Sequence, residues 1–213
     1  RDGYLFITTG DRFHSRNQAQ QLDSHLGKIL RLHDDGRVPA DNPFVGQAGV
    51  LPEIWSYGHR NVQGAALHPG TGALWTHEHG PRGGDELNLI KKGANYGWPL
   101  ATFGEEYGGG RIGPPSLPGM EDPVWVWVPS IAPSGMMFYT GDLFPQWRNQ
   151  LFLGALAGQR LVRLELDGDE VVQEHHLLRG QARLRTVVQA ADGGIYLLTD
   201  EPNGKLLKLV PAQ

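Results

Sequence analysis

Short apolar runs, each bounded by turn residues, recur along the whole chain. Four hairpins are predicted, with first strands that follow Asp2, Thr71, Asn149 and Asp192 and second strands that follow Gly27, Asp85, Arg160 and Gly204. A further strand precedes three of these hairpins and begins near Val62, Ser134 and Leu184. Helical periodicity is limited to a modest stretch over residues 16–26. Repeated β-meanders of this size indicate an all-β fold, a β-propeller with about four blades. A β-sandwich with irregular turns is the alternative.

Composition supports a globular chain and excludes several classes of function. Hydrophobic residues make up 39% of the 213 residues and charged residues 20%, which is enough material for a core. The 30 glycines are dispersed among aromatic and β-branched residues, so they indicate many tight turns. A net charge of −4 provides no basic patch for nucleic acid. No apolar run reaches the length of about 18 residues that a membrane span needs. The absence of cysteine excludes disulfides and thiolate chemistry.

The N-terminal residues open inside a turn-and-strand unit, "RDGYLFITTGDR", with neither a start methionine nor a signal peptide. A domain is not expected to begin at such a point. We therefore expect residues 1–213 to form a single, partial β-propeller domain, with upstream chain missing.

The stretch "WTHEHGPRGGDELNLI" combines a strand, a loop of small residues and two acidic residues, Asp85 and Glu86. Such a loop exposes backbone carbonyls beside carboxylates, and these are the oxygen ligands that calcium prefers. An ordinary hairpin with solvated acids is the alternative. His77 and His79 form an H-x-H pair on one strand face, which is compatible with a zinc or iron site.

Polar clusters fall in the loops between predicted strands. "GDRFHSRNQAQQ" and "YGHRNVQG" are rich in Arg, His, Asn and Gln, and "RLRT" places Arg183 and Arg185 on one face of a strand. Paired guanidinium groups suit carboxylates. Solvated loop charge explains most single arginines, but it explains three clusters at equivalent places in a repeat less well. Together the clusters predict a pocket for a planar polyanion with a metal at its edge. Trp125 and Trp127 alternate with valines. One of the two indoles could face this pocket, or both could pack in the core, and both interpretations stay open.

Five segments carry a family resemblance: "YGHRNVQGAALHP", "EHGPRGGDELNLI", "KGANYGWP", "RLRT" and "LLTDE". They resemble the soluble aldose dehydrogenases that depend on pyrroloquinoline quinone (PQQ), the glucose/sorbosone dehydrogenase family. The resemblance runs from about Asp2 to about Val210. It implies a six-bladed β-propeller with the quinone over the central channel. About four blades are recognisable in this chain, so the resemblance implies that roughly the first two, N-terminal blades are missing.

The resemblance also implies roles for individual residues. Gln18 and His79 would contact PQQ, and Arg60 and Asn61 would face the reactive quinone carbonyl as the catalytic pair. Arg183 and Arg185 would neutralise carboxylates of the cofactor. The carbonyls of Gly80 and Pro81 would bind a calcium ion that also binds the cofactor. A second calcium would be held by Glu86 and the carbonyl of Tyr96, with Glu106 as a further candidate.

The reaction implied by the resemblance is the oxidation of an aldose at C1 to a lactone, by hydride transfer to PQQ in the presence of calcium. An external electron acceptor and a periplasmic or secreted location are implied as well. Two departures stand out. The general-base histidine of the family would lie upstream of Arg1, and Ala157 occupies a position where the family usually has lysine, with Arg160 as a candidate replacement. A calcium-dependent propeller hydrolase of the lactonase kind and a non-enzymatic binding propeller are the alternatives.

Overall fold

The computed structural model describes residues 2–211, which form four antiparallel sheets, blades I to IV. Blade I contains β1 (Tyr4–Thr8), β2 (Lys28–His33) and β3 (Ile54–Tyr57). Blade II contains β4 (Val62–Leu67), β5 (Leu74–Glu78), β6 (Asp85–Leu89) and β7 (Trp125–Trp127). Blade III contains β8 (Pro133–Phe138), β9 (Leu151–Ala155), β10 (Arg160–Asp167) and β11 (Glu170–Leu177). Blade IV contains β12 (Leu184–Gln189), β13 (Ile195–Thr199) and β14 (Leu206–Leu209). In every blade the strands pair with their neighbours in chain order.

Every strand predicted from the apolar pattern is present, but three outer strands, β3, β7 and β11, are not predicted. Strand β11 reads EVVQEHHL, and its many polar residues hide the period of two that identifies a half-buried strand. Two short 3₁₀ helices, Arg16–Gln20 and Pro145–Trp147, are the helices described in residues 2–211. Neither is long and apolar enough to cross a membrane.

The helix expected over residues 16–26 is reduced to the five residues Arg16–Gln20. Lys28 explains why the helix is short. Its Nζ donates to the backbone carbonyls of Gln18, Ala19 and Leu26 at 2.9, 3.0 and 2.7 Å. Carbonyl groups that bind this ammonium group do not form the hydrogen bonds of a longer α-helix.

The apolar core lies between neighbouring blades. Buried side chains join blade I to blade II (Ile29, Leu74), blade II to blade III (Trp75, Leu87, Leu153, Val162) and blade III to blade IV (Phe152, Leu161, Leu184, Ile195). Each sheet is therefore stacked face to face on the next. A β-sandwich has two sheets around one core, so three successive cores between four sheets identify the expected partial β-propeller.

The first strands of blades II to IV are adjacent to one another, since β8 contacts both β4 and β12. Gly135 on β8 permits the approach to β12. A Cβ atom at this position would lie 2.7 Å from the backbone nitrogen of Val187. Glycine is thus required where two backbones come this close, and the three strands take the inner positions of a propeller.

Candidate functional site

The loop between β3 and β4 carries Arg60, whose side chain is almost fully buried, with 9% of its surface exposed. Its Nη1 donates to the carbonyl of His79 at 2.7 Å and its Nη2 to the hydroxyl of Tyr107 at 3.1 Å. The guanidinium carbon lies 5.3 Å from the ring centre of Trp98. Among residues 2–211, no carboxylate lies within 4.0 Å of this guanidinium, and Nε has no hydrogen-bond partner. The positive charge is therefore held in place without a counterion among these residues.

Glu78, at the end of β5, organises the backbone around Arg60. Its carboxylate accepts hydrogen bonds from the backbone N–H groups of Arg60 and Asn61, from His59 Nδ1 at 3.1 Å and from Asn88 Nδ2 at 3.2 Å. Burial by itself raises the pKa of Glu78, but the hydrogen bonds from His59 and the two backbone groups outweigh it and lower the pKa. Glu78 is thus held as a carboxylate whose acceptor capacity is used for positioning.

The loop over residues 79–84 brings backbone carbonyls together. Its start is anchored because Gly80 N–H donates to Asp85 Oδ1 at 2.8 Å. The Asp85 carboxylate also accepts from Ser130 Oγ and from the backbone N–H groups of Ile131 and Ala132. The carbonyl oxygens of Gly80 and Pro81 accept no hydrogen bond from any described residue. They are free to bind a cation.

A small cavity lies behind this loop, with room for about one water-sized atom. Its lining includes Glu86, Tyr96 and Glu78. Burial, and then the charge of Glu78, raise the pKa of Glu86 well above its ordinary value. The Tyr96 carbonyl accepts no hydrogen bond from the described residues. Two carboxylates beside a free carbonyl provide the surroundings that a bound cation would neutralise. Glu106 forms an ion pair with Arg16 at 2.6 Å and does not line this cavity.

Gln18 lies on the Arg16–Gln20 helix, where its Oε1 accepts from Ser24 Oγ at 2.8 Å. Its backbone carbonyl is held by the buried ammonium group of Lys28. Burial lowers the pKa of Lys28 to about 8. The lysine therefore fixes the segment that presents Gln18.

Arg183 and Arg185 both bind Asp200, each through Nη2 at 3.1 Å from Oδ2. The hydrogen bonds from Arg185 and Arg183 lower the pKa of Asp200. The sequence predicts that such a pair requires an anion, and Asp200 provides one. Both side chains remain partly exposed, at 43% and 45%, so they can also reach a second carboxylate.

The structure brings together one part of the predicted site. Arg60, Asn61, His79, Gly80 and Pro81 line one cavity of about 250 Å³. The small cavity of Glu86 and Tyr96 adjoins it, because Arg60, His79 and Gly80 line both. Gln18, Arg183 and Arg185 do not line either cavity and lie in the loop after β1 and in blade IV.

The H-x-H pair does not form a metal site. His77 is fully buried, and its Nε2 donates to the Ser134 carbonyl at 2.5 Å, while His79 Nε2 donates to the Pro133 carbonyl at 2.7 Å. Both imidazoles are bound to the backbone of β8. Within residues 2–211, no group of three or more His, Cys, Asp or Glu residues is arranged to hold a metal. The zinc or iron alternative is therefore not supported.

Trp125 and Trp127 bind the neighbouring blade, because both indole N–H groups donate to Glu174 Oε2 at 2.9 Å. This geometry supports the interpretation that both indoles are packed side chains over the interpretation that one indole faces the site. Ala157 and Arg160 line a groove beside the two tryptophans, and that groove does not include the predicted site residues.

Sequence reasoning missed the residues that support the site. Glu78 positions backbone, and Asp11, Trp98 and Tyr107 surround Arg60. The sequence predicts Asp85 beside a calcium ion, but its carboxylate is bound to Ser130 and to backbone N–H groups. Asp11 and Trp98 are 87 residues apart in the chain, yet the Trp98 indole donates to the Asp11 carboxylate at 2.8 Å. No local pattern indicates such a contact.

Comparison with known proteins places the chain among sugar dehydrogenases. The sequence profile of the family described as Glucose / Sorbosone dehydrogenase matches residues 1–208. The chain belongs to the glucose/sorbosone dehydrogenase family. It is 50% identical, over 98% of its length, to the aldose sugar dehydrogenase YliI of Escherichia coli (strain K12), of which 57% is covered.

Two solved structures resemble the fold of this chain. A crystal structure of a glucose dehydrogenase matches the whole chain with a TM-score of 0.95 and 55% identity, and 62% of it is covered. The PQQ-bound aldose sugar dehydrogenase of Streptomyces coelicolor matches 98% of the chain with a TM-score of 0.78 and 34% identity, and 59% of it is covered. The chain thus spans less than two thirds of the length of these relatives.

Proposed function

We propose that this glucose/sorbosone dehydrogenase chain carries the cofactor site of an enzyme that oxidises aldoses at C1 to lactones with PQQ and calcium. The observation that carries the proposal is the buried Arg60 guanidinium, which has no carboxylate within 4.0 Å among residues 2–211. An uncompensated buried charge is unfavourable unless a ligand supplies negative charge. Fixed donors of this kind stabilise an oxyanion that develops during a reaction.

The residues present fit calcium at two positions. The first is formed by the Gly80 and Pro81 carbonyls, whose oxygens receive no hydrogen bond from the described residues. The second is the one-atom cavity, where Glu86 and the Tyr96 carbonyl would be ligands. Carbonyl and carboxylate oxygens are the ligands that calcium prefers. A cation at the second position would also offset the repulsion between Glu86 and Glu78.

The cofactor would be held by charged and polar groups of this chain. Arg183 and Arg185 would bind carboxylates of PQQ, and Gln18 and His79 would contact it. When bound, PQQ would accept the hydride from C1 of the sugar, and calcium would polarise the quinone. Arg60 and Asn61 would be the catalytic pair. Arg60 would donate hydrogen bonds where negative charge develops, while Glu78 keeps its backbone in position.

The proposal also covers the substrate, the electron acceptor and the location of the enzyme. The substrate would be an aldose, and an external electron acceptor would reoxidise the cofactor. A periplasmic or secreted location, which the family resemblance implies, is part of the proposal. The preferred sugar is not part of the proposal.

Two other functions are less well supported. A lactonase-like hydrolase needs several carboxylate or amide ligands that converge on one calcium ion. No group of three or more acidic or histidine residues is so arranged in residues 2–211. A binding propeller without catalysis does not require the buried guanidinium of Arg60.

Calorimetric titration of PQQ tests the proposal. We expect binding in the presence of calcium, its loss with a chelator, and weaker binding by an Arg60→Gln variant. Arg179→Gln is the matched control, because Arg179 is exposed and lies outside the loop of residues 79–84. The titration is repeated with an upstream-extended chain. Binding only by the extended chain supports the function and assigns part of the pocket to upstream residues. Absence of binding by both chains overturns the proposal.

A thermal-unfolding assay tests the second calcium position separately. Saturating calcium should raise the melting temperature of the wild type, since an ion at about 100 times its dissociation constant stabilises by about 2.7 kcal/mol. Glu86→Gln should reduce this increase. Glu170→Gln, at an exposed position on β11, should retain it. Equal increases in all three proteins would contradict a calcium ligand at Glu86.

A further inference from the structure

Two large aromatic side chains lie exposed beside Arg60, although neither takes part in the core. Phe13 is 58% exposed and Tyr107 is 59% exposed. Their ring centres are 6.0 Å apart with an interplanar angle of 38°. Phe13 comes from the loop after β1 and Tyr107 from the long connection between β6 and β7. Single exposed apolar residues are ordinary, but an adjacent pair at a cavity indicates a binding surface.

Phe13 is held in an unusual backbone conformation. Arg12 and Phe13 have φ values of 59° and 63°, in the left-handed region that bulky residues rarely adopt. The buried carboxylate of Asp11 maintains this turn. Its Oδ1 accepts from the Phe13 backbone N–H at 2.9 Å and its Oδ2 from the Trp98 indole at 2.8 Å. Strained conformations of this kind concentrate at functional sites, where the surrounding structure maintains them.

Tyr107 is fixed from the opposite side. Its hydroxyl accepts a hydrogen bond from Arg60 Nη2 at 3.1 Å. The Arg16–Glu106 ion pair, at 2.6 Å, links the loop of Phe13 to the loop of Tyr107. The two rings are therefore part of one connected structure that includes the proposed catalytic arginine.

A cavity of about 230 Å³ lies below these rings and is lined by Asp11, Phe13, Arg16, Arg60, Pro81, Trp98, Glu106 and Tyr107. We propose that Phe13 and Tyr107 form an aromatic wall that stacks against the pyranose ring of the aldose and sets the affinity for it. The inference rests on the proposed function. A site for a small ligand combines apolar walls with a few polar groups that fix its orientation, and this cavity provides both.

The lining favours a sugar over the quinone. Asp11 and Glu106 balance the charges of Arg16 and Arg60 in the lining, so this cavity has no excess of positive groups to attract an anionic tricarboxylate such as PQQ. The same carboxylates, with Arg16, bind hydroxyl groups of a neutral sugar through charge-assisted hydrogen bonds. The volume is also below the range of about 300–1,000 Å³ that larger organic ligands occupy.

The test uses the full-length enzyme loaded with PQQ and calcium, D-glucose as the aldose, and methyl β-D-glucopyranoside as a competitive inhibitor. The glycoside has no free anomeric hydroxyl, so its inhibition constant reports binding alone. Phe13→Ala and Tyr107→Ala remove the wall, and Phe13→Leu is a milder variant. Tyr107→Phe keeps the ring. Phe103→Ala is the control, because Phe103 is 39% exposed and does not line the cavity.

We expect both alanine variants to raise KM and the inhibition constant together by about three- to tenfold, the scale of one aromatic contact. In Phe13→Ala the turnover number kcat should change by less than about twofold, since the contact serves the ground and transition states alike. Tyr107→Ala also removes the hydroxyl that accepts from Arg60 Nη2, so for this variant the inhibition constant is the readout. Phe13→Leu should lie between the wild type and the alanine variant. Tyr107→Phe, which keeps the ring, should raise the inhibition constant less than Tyr107→Ala does. Phe103→Ala should keep the wild-type KM.

Two results would contradict the proposed aromatic wall while leaving the proposed function intact. One is an active wild type whose KM and inhibition constant are unchanged in both alanine variants. The other is a loss of PQQ affinity by calorimetry without a change in sugar affinity, which would assign the rings to the cofactor. A wild-type enzyme that neither binds PQQ nor oxidises an aldose would overturn the proposed function, and the wall with it.

Discussion

Glu78 and Arg60 are joined through the backbone of the arginine and not through its charge. The Glu78 carboxylate accepts the Arg60 backbone N–H, while the guanidinium is directed to the His79 carbonyl and the Tyr107 hydroxyl. The carboxylate at the base of the site thus fixes the position of Arg60 and leaves its positive charge available. This arrangement separates the placement of the proposed catalytic group from its neutralisation.

Glu78→Gln is expected to lower both stability and turnover. Glutamine has one acceptor oxygen, so at least one of the buried donors of Arg60, Asn61, His59 and Asn88 loses its partner. Loss of a hydrogen bond to a charged group destabilises a protein by about 1.5–3 kcal/mol. Urea unfolding of the variant measures this loss. Displacement of Arg60 should lower kcat by about 10- to 100-fold in the full-length enzyme.

Glu121→Gln is the control for this variant. Glu121 forms an ion pair with Lys91 at the surface, where both side chains are partly exposed. Its replacement should change the free energy of unfolding by less than about 0.5 kcal/mol. A Glu78→Gln enzyme with unchanged kcat would show that Glu78 does not position Arg60.

Gly80→Ala is expected to weaken calcium-dependent PQQ binding. A Cβ atom at Gly80 would lie 2.2 Å from the carbonyl oxygens of both Gly83 and Gly84. The loop must therefore move, and the carbonyls proposed as calcium ligands move with it. We expect at least about a tenfold loss of affinity by calorimetry, the effect of about 1.4 kcal/mol.

Gly108→Ala is the matched control, since a Cβ atom there has no heavy atom within 4 Å. It should bind PQQ with wild-type affinity. Equal affinity of the Gly80→Ala variant would exclude this loop from the calcium site.

Arg185→Gln is expected to reduce PQQ affinity by about tenfold or more, since hydrogen bonds to charged groups contribute about 1.5–3 kcal/mol. Arg185 binds Asp200 and remains partly exposed, so it can exchange this carboxylate for one of the cofactor. The wild-type affinity should also fall with ionic strength. Arg179→Gln, an exposed control, should leave the affinity unchanged. If both variants bind equally well, the arginine pair does not recognise the cofactor.

His77 is expected to make stability depend on pH. Burial lowers its pKa to about 3, below the ordinary value of 6.5. The unfolded chain therefore binds a proton between these values that the folded chain does not bind. The free energy of unfolding carries no penalty from His77 above about pH 6.5. It falls by about 1.4 kcal/mol per pH unit as the pH decreases toward 3. His77→Gln retains a donor for the Ser134 carbonyl and should lack this component in urea unfolding. Parallel stability curves for the two proteins would contradict the prediction.

Local sequence information predicts much of the fold and only part of the site. The hairpins are visible because a half-buried strand repeats its apolar residues every two positions and glycine marks the turns. Strand β11 is not visible, because its polar residues are stabilised by pairing with β10. The family segments identify Arg60, Asn61, His79, Gly80 and Pro81, which the structure brings around one cavity.

By itself the sequence determined the all-β class, the order of the hairpins and the family, because these depend on residues close together in the chain. The tertiary structure decided which polar groups are available for a ligand. His77 and Asp85 are used by backbone groups of the next blade, whereas Arg60 keeps its charge uncompensated among the described residues. These contacts join residues that are distant in sequence, and they form only when one sheet packs on the next. Side-chain identity sets what each group can bind, and the packing of the blades selects what it does bind.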